Sequence, residues 1–258
     1  MTEDIHFLRE TVVDIDAAVV GVSTMRWTFI PETEATTERA TEIMKANRFD
    51  TLPIESEKGI KEYFQTDIWN DYSSIARRAV THRDVIPYRT PLRNVIQGFA
   101  SEARNFYFLS NERRVVGLIS IANLNCRQVK VYLFSLLSEF EIQLGKLVSR
   151  HCRESELLAM TFGANDNPKF AEVKTRYNAD KTKGVDVPFV EYLFLSDLIN
   201  VIAKKQLYNA LGCQSRKQFE QDFGPLVKLR DAVAHPTRSI ITDSPYAADD
   251  PNMLQERH

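Results

Sequence analysis

The sequence predicts an α+β multidomain chain: an α/β repeat pair over residues 25–125, followed by an all-α bundle over residues 127–240. Two observations carry this. Residues 25–66 and 84–125 repeat one order of elements, and internal repetition of this length marks a duplicated structural unit. From Cys126 onward the strand patterns stop, and apolar residues recur only at helical spacing.

Each repeat carries an Ile-Pro step, Ile30-Pro31 and Ile86-Pro87, then a helix and two strands. Ala40, Ile43 and Met44 share a helical face in the first repeat; Leu92, Val95, Ile96 and Phe99 do so in the second. Strands are expected at Thr51–Glu55 and Ile60–Phe64, and at Phe106–Ser110 and Val115–Ser120. A helix over Asp71–Ala79 is expected to join the two units. Residues 1–24 form an N-terminal extension with one short apolar stretch, Ala17 to Val22.

In the second half, Val129, Tyr132, Leu133, Leu136, Leu137, Phe140, Leu144, Leu147 and Val148 define a long amphipathic helix. A second helix is expected from Glu154 to Phe162, a turn over 163–168 and a polar loop over 178–188. An apolar helix should run from Phe189 to about Leu211, with Gly212 as its stop. The last helix should start at the cap Ser215, with Gln218 three residues on. Gly224-Pro225 is expected to kink it, and Pro236 to end it near Ala234. Residues 241–258 read as a disordered tail.

The 258 residues are 43% hydrophobic and 26% charged, enough to bury cores without metal or disulfide. The net charge of −2 excludes a global basic field, so any nucleic-acid contact must rest on a local patch. Cys126, Cys152 and Cys213 match no zinc spacing. The start has no signal-peptide pattern and no apolar run approaches a membrane span, so a reduced, cytoplasmic protein is expected.

The sharpest motif lies in LVKLRDAVAHPTRSI, residues 226–240: Arg230, then Asp231, then His235. Histidine transfers protons near neutral pH, and arginine presents a charged planar fork to phosphate oxygens. On an ideal helix an i, i+5 pair diverges by about 140°, so the two converge only if the helix ends between them or two subunits face each other. In its helical setting this motif resembles the R-x4–6-H motif of the HEPN superfamily, helical domains found in many RNA-cleaving toxins and defence proteins. The resemblance covers residues 127–240. It implies a metal-independent endoribonuclease forming a 2′,3′-cyclic phosphate. Arg230 would bind the phosphate, His235 transfer the proton and Asp231 orient one of them. It also implies an RNA substrate, a homodimer with the motif at the interface, and an antitoxin or defence partner. Asp231 stands where Asn is a frequent family choice.

The paired units resemble CBS domains, which occur in tandem and often bind adenosyl ligands between repeats. The match is Arg114-Val-Val-Gly117-Leu-Ile-Ser120-Ile-Ala-Asn123. Gly117 and Ser120 fit the family pattern, while Asn123 replaces a ribose-binding Asp. In the first repeat Gly59 is followed by Glu62 and Gln65, which reads as a degenerate site. The resemblance implies an adenine nucleotide effector held by Gly117, Ser120 and Asn123, with Tyr88 and Thr90 lining the cleft; no cofactor is required for the cleavage itself. The alternative reading is a non-catalytic module that dimerises, senses a ligand and recruits a partner.

His151-Cys152 lacks a visible orienting partner for a nucleophile. Glu139 and Glu141 read as surface or interface groups. Trp27, Phe29, Trp69 and Phe106-Tyr107-Phe108 read as core. Arg77-Arg78, Arg113-Arg114 and Lys204-Lys205 read as solubilising surface.

Overall fold

The computed structural model describes residues 13–66, 72, 74–102, 104–162, 171–235 and 237–241. The chain divides into two compact units, one built on Asp14–Tyr132 together with the segment after Pro236, the other on Leu133–His235. The expected turn over 163–168, the tail beyond 241 and Trp69 lie outside the described residues.

The first unit contains two four-stranded sheets. Its elements in chain order are α1 (Ala17–Val20), β1 (Val22–Ser23), β2 (Ile30–Pro31), α2 (Thr37–Asn47), β3 (Thr51–Ser56), β4 (Gly59–Gln65), β5 (Ala76–Ala79), β6 (Val85–Pro87), α3 (Leu92–Glu102), β7 (Phe106–Asn111) and β8 (Arg114–Ser120). One sheet has the order β2-β3-β4-β5, the other β1-β8-β7-β6. In each, the Ile-Pro strand is parallel to the next strand and the rest of the sheet is antiparallel. The registers match. Ile30 pairs with Ile54 and Ile86 with Leu109; Ile54 pairs with Glu62 and Leu109 with Gly117. The ladder shifts immediately after Ile54 and, at the equivalent place, after Leu109. The duplication seen in sequence is therefore carried by the backbone itself.

The fourth strands are exchanged. β1 leads into the first repeat but pairs with β8 of the second, Val22 opposite Leu118 and Ser23 opposite Gly117. β5 leads into the second repeat but pairs with β4 of the first, Arg78 opposite Tyr63 and Ala79 opposite Glu62. The helix expected over Asp71–Ala79 is thus corrected: Ala76–Ala79 is an edge strand, and Arg77 binds Glu62 across it. Period alone could not separate a short polar strand from a helix turn, because its pairing partner lies far back in the chain. Residues 15–18 run along the second repeat, where Ala17 N–H donates to Thr90 O at 2.8 Å, Ala18 N–H to Tyr88 O at 2.9 Å and Leu92 N–H to Ile15 O at 2.8 Å.

Helix α2 starts at Thr36, whose hydroxyl accepts from Arg39 N–H at 3.2 Å. Its face Ala40 and Met44 is fully buried with Ile30, Leu52, Ile54 and Phe64. Leu92, Val95 and Phe99 of α3 are buried as their spacing predicts. Tyr63 meets Phe106 and Phe108 edge-on, with ring centroids 5.3 and 5.5 Å apart, so an aromatic cluster joins the two sheets. Trp27 packs edge-on against Phe108, whereas Phe29, expected in the core, is exposed. It falls just before β2, where Ile30 takes the buried position.

Past β8 the chain is helical: α4 (Arg127–His151), α5 (Glu154–Phe162), α6 (Ala171–Thr182), α7 (Leu195–Lys204) and α8 (Arg216–Ala234). The core of the second unit gathers Leu144 and Val148 of α4, Leu157, Val173, much of α7, and Phe219 of α8. Phe223 stacks on Phe140 at 5.6 Å. Two expectations change here. The polar segment Asn178–Thr182 is helical, because Tyr177 packs edge-on against Phe189 and Tyr192, and Asp180 accepts the Tyr192 hydroxyl at 3.0 Å. Packing overrides the weak helix propensity of Asn and Asp.

The apolar run from Phe189 to Leu211 is not one helix. It breaks into a 3₁₀ turn (Phe189–Tyr192), α7, and a second 3₁₀ turn (Leu207–Leu211). Glu141 accepts Leu195 N–H at 2.8 Å and Asp197 accepts Phe194 N–H at 3.2 Å, which starts the helix afresh. Gln206, at φ 57°, ends it. Helix α8 begins as expected, with Ser215 accepting Gln218 N–H at 3.1 Å, and continues through Pro225.

Candidate functional site

The Arg230–His235 motif occupies the end of α8. The helix stops at Ala234, and His235 is extended, at φ −102° and ψ 112°, and exposed. Residues 231–234 stay helical, and the backbone leaves helical geometry only at His235 itself. Arg230 is half-buried, its side chain 31% exposed, and its Nε is buried without a hydrogen-bond partner among the described residues. Its Nη1 lies 3.6 Å from Asp231 Oδ1, too long for a hydrogen bond, and the Asp231 side chain is half exposed. Asp231 therefore partly neutralises Arg230 without locking it. The Arg230 Nε–H is thus a covered donor without an acceptor among the described residues, while other parts of the side chain stay exposed.

The residues proposed for an effector are placed differently. Gly117 faces strand β1, and a Cβ there would sit 2.6 Å from the Val22 carbonyl oxygen. Its need for glycine is thus explained by strand pairing. Asn123 Oδ1 accepts from Ser120 N–H at 2.7 Å and from Ser120 Oγ–H at 3.0 Å, capping the 3₁₀ turn Ile121–Asn125. This commits the expected ribose-binding oxygen to the fold and leaves the Nδ2 donor. The Tyr88 hydroxyl accepts from Arg89 Nε–H at 2.9 Å, and Thr90 Oγ–H donates to Pro87 O at 2.7 Å. The register also revises the comparison of repeats: Glu62 is the counterpart of Gly117 and Gln65 of Ser120, while Gly59 opens β4 just after the turn, at φ +86°.

Sequence reasoning missed a cavity of about 640 Å³ beside α3 and β6. Of the five effector residues, only Thr90 is found in its wall, with His82, Arg83, Asn94, Glu102 and Arg104. One end is fixed by a buried carboxylate. Asp84 accepts from Thr81 N–H at 2.8 Å, Thr81 Oγ–H at 2.6 Å and Arg104 Nη1–H at 2.7 Å. Burial alone would raise the Asp84 pKa. The hydrogen bonds from Thr81 and Arg104 outweigh it and hold the carboxyl below its ordinary range. Arg104 also pairs with Glu102 at 2.9 Å and lies over the Tyr107 ring. Burial and then Glu102 push the Tyr107 hydroxyl up. The Thr81-x-x-Asp84 spacing is a capping-box signal legible in the sequence; the Asp84–Arg104 pairing across a helix is not.

His151 bonds back to Leu147 O at 2.9 Å, and Cys152 is buried, which pushes its thiol up. Glu139 accepts from Gln143, and Glu141 caps α7. Among the described residues no group of three metal-ligating side chains occurs, and no helix is long and apolar enough to cross a membrane.

No family model matches the chain, and none of the curated proteins matches it. Solved structures of CBS domain proteins do. A Vibrio cholerae protein described as the acetoin utilization protein AcuB shares 12% identity over 49% of this chain and 98% of its own, with a TM-score of 0.37. CBSX2 in complex with AMP shares 8% identity over 43% and 93%, at 0.35. The CBS domain pair of MJ0100, in complex with 5′-methylthioadenosine and S-adenosylmethionine, shares 13% identity over 42% and 95%, at 0.32.

Proposed function

We propose that the helical unit is a metal-independent endoribonuclease of HEPN type, and that the CBS-like pair binds an adenine nucleotide that regulates it. The observation that supports this reading is the state of Arg230. Its side chain is partly exposed, its carboxylate neighbour stays at 3.6 Å, and His235 is exposed just past the helix end. In the reaction the RNA 2′-hydroxyl attacks the adjacent phosphorus and the 5′-oxygen leaves. His235 takes or gives the proton, and Arg230 stabilises the phosphorane oxygens, which is typically worth a few kcal/mol. The products are a 2′,3′-cyclic phosphate and a 5′-hydroxyl end. A second copy of the chain would supply the second proton-transfer group.

The test is cleavage of varied RNAs in EDTA, with and without AMP, by wild type, Arg230→Ala and His235→Ala. Loss in both variants is expected; cleavage by wild type that survives both would overturn the reading. A second reading, a non-catalytic module that dimerises and recruits a partner, is favoured by the Ser120–Asn123 pairing. Absence of cleavage at every RNA, with AMP present, would select it.

A further inference from the structure

The chain leaving His235 is gripped from three residues on. Asn125 Oδ1 accepts Ile240 N–H at 2.7 Å and Ile241 N–H at 2.9 Å, and Asn125 Nδ2 donates to Ile241 O at 3.4 Å. Lys130, on the first turn of α4, donates to Arg238 O at 2.7 Å. Two side chains thus hold four backbone groups of one short segment. Ile240 and Ile241 are half-buried there. The amide of Asn is suited to this contact: it offers an acceptor and a donor together, as a neighbouring strand would. Asn125 is also the last residue of the 3₁₀ turn whose first residues are capped by Ser120 and Asn123.

We propose that Asn125 is a positioning residue: with Lys130 it forms a clamp on residues 238–241 that limits the motion of His235 and the last turn of α8. The short covalent link between His235 and Arg238 transmits the restraint. Its meaning for RNA rests on the reading above, but the clamp itself does not, and its test uses no RNA.

Hydrogen exchange on the full chain reads it directly. In wild type the Ile240 and Ile241 amides should be protected. Asn125→Ala should speed their exchange by at least about tenfold, and also speed exchange at Val233 to His235. Asn125→Asp, which keeps the accepting oxygen, should retain protection at Ile240 and Ile241. Lys130→Met, which leaves the 3₁₀ turn untouched, should hasten tryptic cleavage after Arg238. The proposal fails if the wild-type amides exchange freely, or if Asn125→Ala releases them while Val233 to His235 are unchanged. It fails equally if Asn125→Asp loses as much protection as Asn125→Ala, or if Lys130→Met leaves cleavage at Arg238 unaltered.

Discussion

Glu141 accepts the backbone N–H of Leu195 at 2.8 Å and so fixes where helix α7 begins, far along the chain from its own helix. A carboxylate at a helix N-terminus meets both an orphan donor and the positive end of the helix dipole. Glu141→Ala is expected to lower the unfolding free energy by about 1–2 kcal/mol, read as a shift in urea midpoint with little change in slope. Glu141→Gln, which keeps an oxygen acceptor, should recover part of the loss.

Strand exchange makes Gly117 a steric requirement. An alanine there would press its Cβ against the Val22 carbonyl, so Gly117→Ala should destabilise by about 1–3 kcal/mol. Gly59→Ala meets open space and only the strain of φ +86°, a cost of about 1 kcal/mol. Parallel thermal melts of the two variants should rank them in that order.

Asp84 gives the fold an acid limit. Its folded pKa is held below its unfolded value, so its stabilisation is present above the unfolded pKa of about 3.9 and is lost as pH falls through the depressed folded value. Asp84→Asn should cost about 2–3 kcal/mol near neutrality, with the gap to wild type closing below about pH 4. A constant gap from pH 7 down to pH 2.5 would contradict the assignment.

Tyr132 sets an alkaline limit. Burial first, then the charge and hydrogen bond of Asp14, push its hydroxyl up to about 12. A raised pKa stabilises below the unfolded value of 10.0 and is lost as pH rises toward 12, a decline of about 2–3 kcal/mol. Tyr132→Phe should flatten stability over that range, and absorbance titration should show one late-ionising phenol that the variant lacks.

Much of this architecture was legible because the periodic signals are local. Leu92, Val95 and Phe99, or Val129, Leu137 and Val148, bury the face their spacing marks. Ser215 caps α8 as read. What escaped depends on partners distant in sequence. Strand β5 is defined by β4, and β1 by β8. Arg104 reaches Asp84 and Asn125 reaches Ile240 through folding alone. The break between Tyr192 and Leu195 was hidden inside an unbroken apolar run, since only Asp197 and Glu141 decide where that helix starts. At the candidate site, the Arg230–His235 spacing was readable; the unpartnered Nε of Arg230 was not, because burial of one atom has no sequence pattern.

The reciprocal placement of β1 and β5 also sets an order of assembly. As the nascent chain emerges, Val22 and Ser23 appear early, yet their partners Leu118 and Gly117 are made only after both repeats have been synthesised. The sheet β2-β3-β4-β5 can close first; the other must wait with an open edge. This long-range pairing should make closure of the second sheet slow, and it leaves each half of the pair dependent on a strand that precedes the other half.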